Sequence, residues 1–395
     1  MKRKKILAVS YLFPNPQQMN HGIFVFNRLK AMSKYADIVV INPLAIFPPL
    51  KNTERYKVTA DIPEKVDIDG LTVFYPKFLS IPKIFKGIEV GSYYKAVKRV
   101  IEQERLEFDL VDLHWTFPDL PTGFRLGKEF GVPFNITLRG MEAFHIQDGG
   151  VRKRLVEKYL KHANQVISLS QEMADTAEKI ASTGNRTTVI RNGVNSEKFY
   201  YVPKEDCRQR LALDANEFII LGVGALVHRK GFDLVLEALA KLKAIQPENN
   251  VRFIVVGAKG AEGNFQQGLN EIVKRNALEQ HVTFAGAVPN SDLIYWYNAA
   301  DVFCLSSRGE GSPNVLTEAL ACGTPSISTA VGSAPEIMTS EENLGEVIPS
   351  QDVTSLVQAI ENMISRNFDR QHNANQIGKY NWDWCAQKVM GVINS

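Results

Sequence analysis

Two glutamates, Glu310 and Glu318, bracket the segment Gly311, Ser312, Pro313, Asn314 and Val315. Ser312 has the chemistry of a helix N-cap and Pro313 that of a first helical position, while Gly323 followed by Pro325 marks a helix stop. The spacing predicts a helix over 313–322 that follows soon after a strand over 301–305. The first amides of such a helix, near Asn314 and Val315, face a ligand at the strand ends. With the helix dipole they favour an anion such as a diphosphate. Glu310 falls in the loop before the helix and Glu318 on its second turn. Carboxylates in these two places can accept hydrogen bonds from two sugars, one being transferred and one the ribose of a nucleotide.

A second group converges on the same edge. Gly222 and Gly224 end a strand-like run, and Arg229, Lys230 and Gly231 lead into the next helix, which brings both cations beside Glu310. Two such cations neutralise a leaving diphosphate, each charge-assisted hydrogen bond contributing about 1.5–3 kcal/mol. Metal chemistry has little to work with here. Asp67 and Asp69 spell D-x-D, but they precede a turn at Gly70 without further ligands and read as a solvated turn, so neither a metal nor a cofactor is expected. The glycines at 222–224 and 257–260 do not form G-x-G-x-x-G, which argues against a dinucleotide oxidoreductase.

The elements that must position these residues follow a βαβ rhythm. Strand-like runs at 6–10, 38–41, 108–113, 134–138, 165–169 and 188–190 alternate with helical periods such as 24–35, 93–104 and 171–181. The rhythm breaks over 192–214, read as a linker, and restarts with strands at 218–223, 251–256, 282–284, 301–305 and 326–329. Helices at 233–244, 265–275, 292–299, 313–322 and 353–364 separate or follow them. The expected fold is α/β, with two tandem Rossmann-like doubly wound domains facing a central cleft. The first spans 1–200 and the second 201–375. The stretch 376–395 ends in a helical run and is too apolar to be a free tail.

A length of 395 residues with 45% hydrophobic and 23% charged residues fits two soluble domains. The net charge of +3 hides a basic first half and an acidic second half. A basic half suits an anionic partner such as a phospholipid surface or a pyrophosphate-linked lipid. Nucleic acid is not expected, because no recognisable motif interleaves the basic residues. The aromatic and basic stretch 78–99 reads either as a helix lying on a membrane or as a core-facing helix with a basic rim. The four cysteines are far apart, the apolar run after the basic start is too short for a signal core, and no run approaches a membrane span. These features predict a cytoplasmic protein, with room for contact at the inner membrane face.

The glutamate pair, the glycine-rich strand leading to Lys230 and the turn at Asn192, Gly193 and Val194 resemble the retaining family-4 glycosyltransferases of GT-B fold. The segment from Trp296 to Asp301 resembles that family's helix-to-strand step. In the first half, Phe13 and Pro14 with Gly22 resemble its opening glycine loop. Asp112 to Trp115 and Thr137 to Gly140 resemble its acceptor-side segments. The resemblance implies transfer of a hexosyl group from a nucleotide-diphosphate sugar to a glycan or lipid-linked acceptor in cell-surface polysaccharide or glycolipid synthesis. Anomeric configuration would be retained, without a metal. Glu310 would contact the donor sugar, Glu318 the ribose, and Arg229 and Lys230 the leaving diphosphate, with Gly22 and Gly311 to Val315 lining the donor. His114, Arg139 and Glu142 would lie on the acceptor side, and the terminal segment 376–395 would cross back onto the first domain. The chain departs from the pattern at Ala225, where many members have arginine, and at Arg139, where many have histidine. A nucleotide-sugar epimerase or phosphorylase of the same architecture, or a silent nucleotide-sugar binding protein, stands as the alternative.

Overall fold

A computed structural model describes residues 3–46, 61–80, 86–140, 150–260 and 262–395. The chain divides into two compact units, Met1–Asn192 with Trp382–Ser395, and Gly193–Asn381. In the first unit the strands are β1 (Lys5–Val9), β2 (Asp37–Ile41), β3 (Leu44–Ile46), β4 (Lys65–Ile68), β5 (Leu71–Phe74), β6 (Lys77–Leu79), β7 (Leu110–Leu113), β8 (Phe134–Leu138), β9 (Gln165–Ser168) and β10 (Thr187–Val189). Its helices begin with α1 (Ile23–Met32), α2 (Lys86–Gln103), α3 (Asp119–Phe130), α4 (Gly150–Leu160) and α5 (Gln171–Ala181).

Eight of these strands form one sheet in the order β10-β9-β8-β7-β1-β2-β5-β4, while β3 and β6 pair separately. All neighbours in the large sheet are parallel except β4 and β5. Every residue of β7 and β8 is buried, as expected of parallel strands covered on both faces. Chain order reverses between β1 and β7, so the loops after these two strands emerge side by side at the carboxyl edge of the sheet. The D-x-D segment lies at the β4–β5 turn, where Asp67 Oδ1 accepts from the Gly70 amide at 2.8 Å.

The second unit contains α6 (Lys204–Leu211), β11 (Phe218–Val223), α7 (Phe232–Ile245), β12 (Val251–Val256), α8 (Gln266–Arg275), β13 (Val282–Gly286), α9 (Leu293–Ala299) and β14 (Val302–Leu305). It continues with α10 (Asn314–Ala321), β15 (Ser326–Thr329), α11 (Ala334–Met338), β16 (Gly345–Ile348), α12 (Val353–Ser365) and α13 (Arg370–Gly378). Its sheet order is β13-β12-β11-β14-β15-β16, parallel throughout. This is the mononucleotide-binding arrangement of a Rossmann-like domain, with its crevice outside the ends of β11 and β14. Both units are therefore Rossmann-like.

The last helix, α14 (Trp382–Asn394), belongs to the first unit. Cys385, Ala386, Val389, Met390 and Ile393 are buried in one cluster with Val25 and Leu29 of α1 and Ile6 and Ala8 of β1. Asp383 fixes the helix start by accepting from Lys34 Nζ and the Tyr35 hydroxyl, both at 3.0 Å. The junctions fall at Asn192/Gly193 and Asn381/Trp382, earlier and later respectively than 200/201 and 375/376.

The stretch 192–214, read from sequence as a linker, is corrected in part by the structure. It contains α6, which is anchored in the second unit because Arg208 is buried, donates to Ala299 O at 2.9 Å and pairs with Asp301 at 2.5 Å. Lys204 joins the same carboxylate at 2.8 Å. The polar composition that reads as a linker serves an ion-pair network instead.

Candidate functional site

In the second unit, the loops after β11 and β14 are joined at the crevice. Arg308 N donates to Arg229 O at 2.8 Å, Ser306 Oγ to Lys230 O at 3.0 Å, and the Arg308 guanidinium to Asp233 at 2.6 and 2.8 Å. Gly231 has φ +68°, and a Cβ there would sit 1.9 Å from Ser306 O. Only glycine lets the two loops approach this closely.

The joined loops place Lys230 Nζ 2.7 Å from Glu310 Oε1. Ser307 Oγ donates to the same oxygen at 2.8 Å, and Arg229 Nη1 lies 3.2 Å away. Arg229 also donates to Gly309 O at 2.9 Å and pairs with Glu262 at 2.7 Å. Side-chain exposures of 14% for Lys230 and 11% for Glu310, against 28% for Arg229, put the first two at the base of the cluster. Burial alone would raise the Glu310 pKa, but Lys230 and Arg229 outweigh it and hold the carboxyl below its ordinary range. Glu310 is thus an ionised acceptor with two cations at hand.

A third loop braces this one. Ser333 N donates to Gly311 O at 3.0 Å, and Ser333 Oγ donates to Ser312 Oγ at 3.0 Å. Gly332 has φ +53°, and a Cβ there would lie 2.4 Å from Gly311 O and 2.5 Å from Glu310 O. The segment after β15 therefore fits only with glycine at 332. Ser312, read from sequence as the N-cap of the helix, does not cap it. α10 begins at Asn314 with Pro313 as cap, without a side-chain capping bond. The cause is local: Pro313 is extended at ψ 92°, its carbonyl accepts from Leu316 N at 3.0 Å, and the Ser312 hydroxyl is engaged by Ser333.

Glu318, on the second turn of α10, accepts from the Tyr297 hydroxyl at 2.9 Å. Its pKa is pushed up to about 6 by burial, against the Tyr297 bond and the Lys198 charge, which both pull it down. The two glutamates thus have opposite electrostatics. Glu310 is firmly charged, whereas Glu318 titrates near neutrality.

At the crevice of the first unit, Gly22 is the left-handed N-cap of α1, turned against the backbone of Leu12 and Phe13. His114 is buried just after β7. Its Nδ1 lies 2.9 Å from Arg139 Nη2 and its Nε2 3.2 Å from Asp112 Oδ2. A guanidinium only donates, so Nδ1 accepts and the proton sits on Nε2 toward Asp112. The ring is neutral, consistent with a pKa lowered by burial against the pull of Asp112. Both nitrogens face protein groups, which makes His114 a support for Arg139. The Arg139 guanidinium stacks 5.1 Å over Phe24 and reaches Asn192 Oδ1 at 3.5 Å. Asn192 also accepts from the buried Arg28 at 3.4 Å. Glu142 lies outside the described residues.

The sequence reading did not single out Glu262, Tyr297, Ser307 or the Gly332–Ser333 turn. A glycine just past the end of β15 is a legible signal for the turn. The others become visible only when distant segments meet. Among the described residues no group of three or more His, Cys, Asp or Glu side chains is placed to hold a metal ion, and no helix is long and apolar enough to cross a membrane.

Comparison with known proteins gives two family models in tandem, Glycosyltransferase Family 4 over residues 55–198 and Glycosyl transferases group 1 over residues 203–381. The chain is a glycosyltransferase of this family pair. It is 26% identical over 368 residues to TuaC of Bacillus subtilis, a glycosyltransferase provisionally assigned to teichuronic acid biosynthesis, covering 90% of this chain and 88% of TuaC. Among solved structures, sucrose-phosphate synthase from Thermosynechococcus elongatus superposes with a TM-score of 0.80 at 21% identity, over 99% of this chain and 98% of that one. Anabaena HepE in complex with UDP and glucose gives 0.71 at 19% identity, over the full length of both. The glycosyltransferase thus has the two Rossmann-like domains of the GT-B fold.

Proposed function

We propose that this glycosyltransferase moves a hexosyl group from a nucleotide-diphosphate sugar to a glycan or lipid-linked acceptor, with retention of anomeric configuration, in cell-surface polysaccharide or glycolipid synthesis. The observation that carries the reading is the Lys230–Glu310 pair at 2.7 Å in the crevice of the second unit. HepE, of the same fold, is described with UDP and glucose bound.

In this reading Glu310 accepts from hydroxyls of the transferred sugar and Glu318 from the ribose. Gly311 to Val315 and the first turn of α10 meet the diphosphate. In the first unit, Gly22 is assigned to donor binding, and Arg139, supported by His114, and Glu142 are assigned to the acceptor. The bond from the anomeric carbon to the diphosphate oxygen breaks while a bond to the acceptor oxygen forms on the same face, and the acceptor proton passes to the departing phosphate. Arg229 and Lys230 stabilise the negative charge that grows on the leaving group, which is the electrostatic part of catalysis, and the glutamates supply positioning. A peripheral membrane contact through the basic first unit belongs to the same reading. In its support, α4 carries Arg152, Lys153, Arg154 and Lys158 beside Val151, which is 49% exposed.

Because Arg229 and Lys230 stand where a divalent cation would otherwise neutralise the diphosphate, turnover is expected to survive exhaustive chelation. The test compares release of nucleoside diphosphate from a nucleotide-sugar panel before and after EDTA treatment. Abolition by EDTA with recovery on adding manganese or magnesium would contradict the assignment of leaving-group stabilisation to Arg229 and Lys230.

A further inference from the structure

Tyr297 is fully buried in α9 and held to α10 at both ends of the residue. Its hydroxyl donates to Glu318 Oε2 at 2.9 Å, and its carbonyl accepts from Thr324 Oγ1, just past the end of α10, at 2.6 Å. Its ring is fixed by edge contacts with Phe199 and Phe303, each at 5.8 Å between centroids. A phenol locked in this way has one direction in which to point its proton. A carboxylate that receives that proton on one oxygen loses its freedom to rotate.

We propose that Tyr297 is a positioning residue for donor binding, its hydroxyl fixing the Glu318 carboxylate so that it can accept from the vicinal hydroxyls of a nucleoside-diphosphate ribose. This rests on the assignment of Glu318 to the ribose and adds what makes that carboxylate competent. Glu318 accepts from both hydroxyls of a diol most strongly when ionised, and burial works against ionisation. The charged and titratable groups around it are Tyr297 from α9, Lys198 from the segment before α6, and Cys322 at the C-cap of α10. Arg370 of α13 and Cys207 of α6 act on Cys322 from behind. Among these, the tyrosine is the one that donates a hydrogen bond to the carboxylate.

The sign follows from linkage. Removing a donor to the charged form raises the Glu318 pKa above its value of about 6, so the pH below which ribose binding fails moves upward. The ligand's own phosphate ionisation is common to all the proteins compared and cancels. The experiment is calorimetric titration of UDP, GDP and ADP into wild type, Tyr297→Phe and Glu318→Gln between pH 5.5 and 8.5. The tightest of the three diphosphates gives the comparison.

Tyr297→Phe is expected to bind that diphosphate about 10-fold more weakly than wild type at pH 6.5 and to recover most of that loss at pH 8.5, the remainder reflecting a carboxylate no longer held in place. Glu318→Gln should be weaker at both. If Tyr297→Phe fails to fold, 3-fluorotyrosine at position 297 keeps the shape with a more acidic hydroxyl, and the acid limb should move to lower pH. An acid limb that neither replacement displaces, or uniform weakening across the range, would overturn the role of Tyr297 while leaving the functional reading in place. Failure of wild type to bind any of the three would remove that reading and this inference together.

Discussion

Glu310→Gln is expected to lower kcat by about 30- to 150-fold while leaving the fold and the affinity for nucleoside diphosphate intact. The magnitude is that of one charged hydrogen bond, about 2–3 kcal/mol, lost at the transition state. The split between kcat and affinity follows from the local charges. Glu310 is the shared partner of Lys230 at 2.7 Å and Arg229 at 3.2 Å, and neutralising it leaves both cations in place with one competitor for the diphosphate fewer. Product binding is therefore expected to hold or tighten as turnover falls. Steady-state kinetics with a nucleotide-sugar, together with titration of its nucleoside diphosphate, checks both halves. Full turnover in a folded Glu310→Gln protein would remove Glu310 from the site, and a parallel loss of diphosphate affinity would reassign it to ground-state binding.

Truncation after Asn381 is expected to unfold the first unit and spare the second. α14 contributes the buried side chains Cys385, Ala386, Val389, Met390 and Ile393 to the cluster on one face of the first sheet. Burying each large apolar side chain stabilises by about 1.5–3 kcal/mol. Removing three of them also strips cover from α1 and β1, a loss comparable to a whole domain's stability of about 5–15 kcal/mol. The cut falls beyond Tyr380, whose carbonyl accepts from Val194 N at 3.0 Å within the second unit, so that unit keeps its own terminal contact. Limited proteolysis resolved by mass spectrometry gives the readout. Rapid cleavage across the first unit with a resistant fragment from Gly193 onward is expected, and equal resistance of both units would show that α14 is dispensable.

Where strands are short, β-branched and buried on both faces, the sequence carries them plainly. The runs 134–138, 218–223 and 251–256 coincide with β8, β11 and β12, because a short run rich in Val, Ile, Leu and Phe and bounded by turn residues has few other uses. Among the helices that the sequence reading does not give, α3 and α6 are hidden by composition. α3 contains Pro121, Gly123 and Gly127, residues of poor helix propensity that mask its period. α6 lies in a polar stretch whose charges meet Asp301 only in the folded chain. Tertiary pairing overrides local propensity in both.

The candidate site divides in the same way. Lys230 and Glu310 are brought together by strand topology, and a reading of which loops follow which strands anticipates their proximity. The hydroxyl on Glu318, the Glu262 carboxylate on Arg229 and the turn at Gly332 depend on side-chain directions across elements. No periodicity encodes them. Ser312 illustrates the same limit at short range: its residue type suits a cap, but an extended Pro313 and a hydroxyl partner at Ser333 move the helix start by one residue.

The central claim is that the chain transfers sugar through the site at Lys230 and Glu310. Its most direct test is transfer of an anomerically 13C-labelled sugar from a nucleotide-sugar panel to cell-envelope glycans and glycolipids, read by NMR for product and configuration, with wild type and Glu310→Gln side by side. Label entering a new glycosidic bond with the donor's anomeric configuration, and falling about 30-fold or more with Glu310→Gln, is the result expected. Transfer from none of the donors, inversion of configuration, or equal transfer by the two proteins would contradict it.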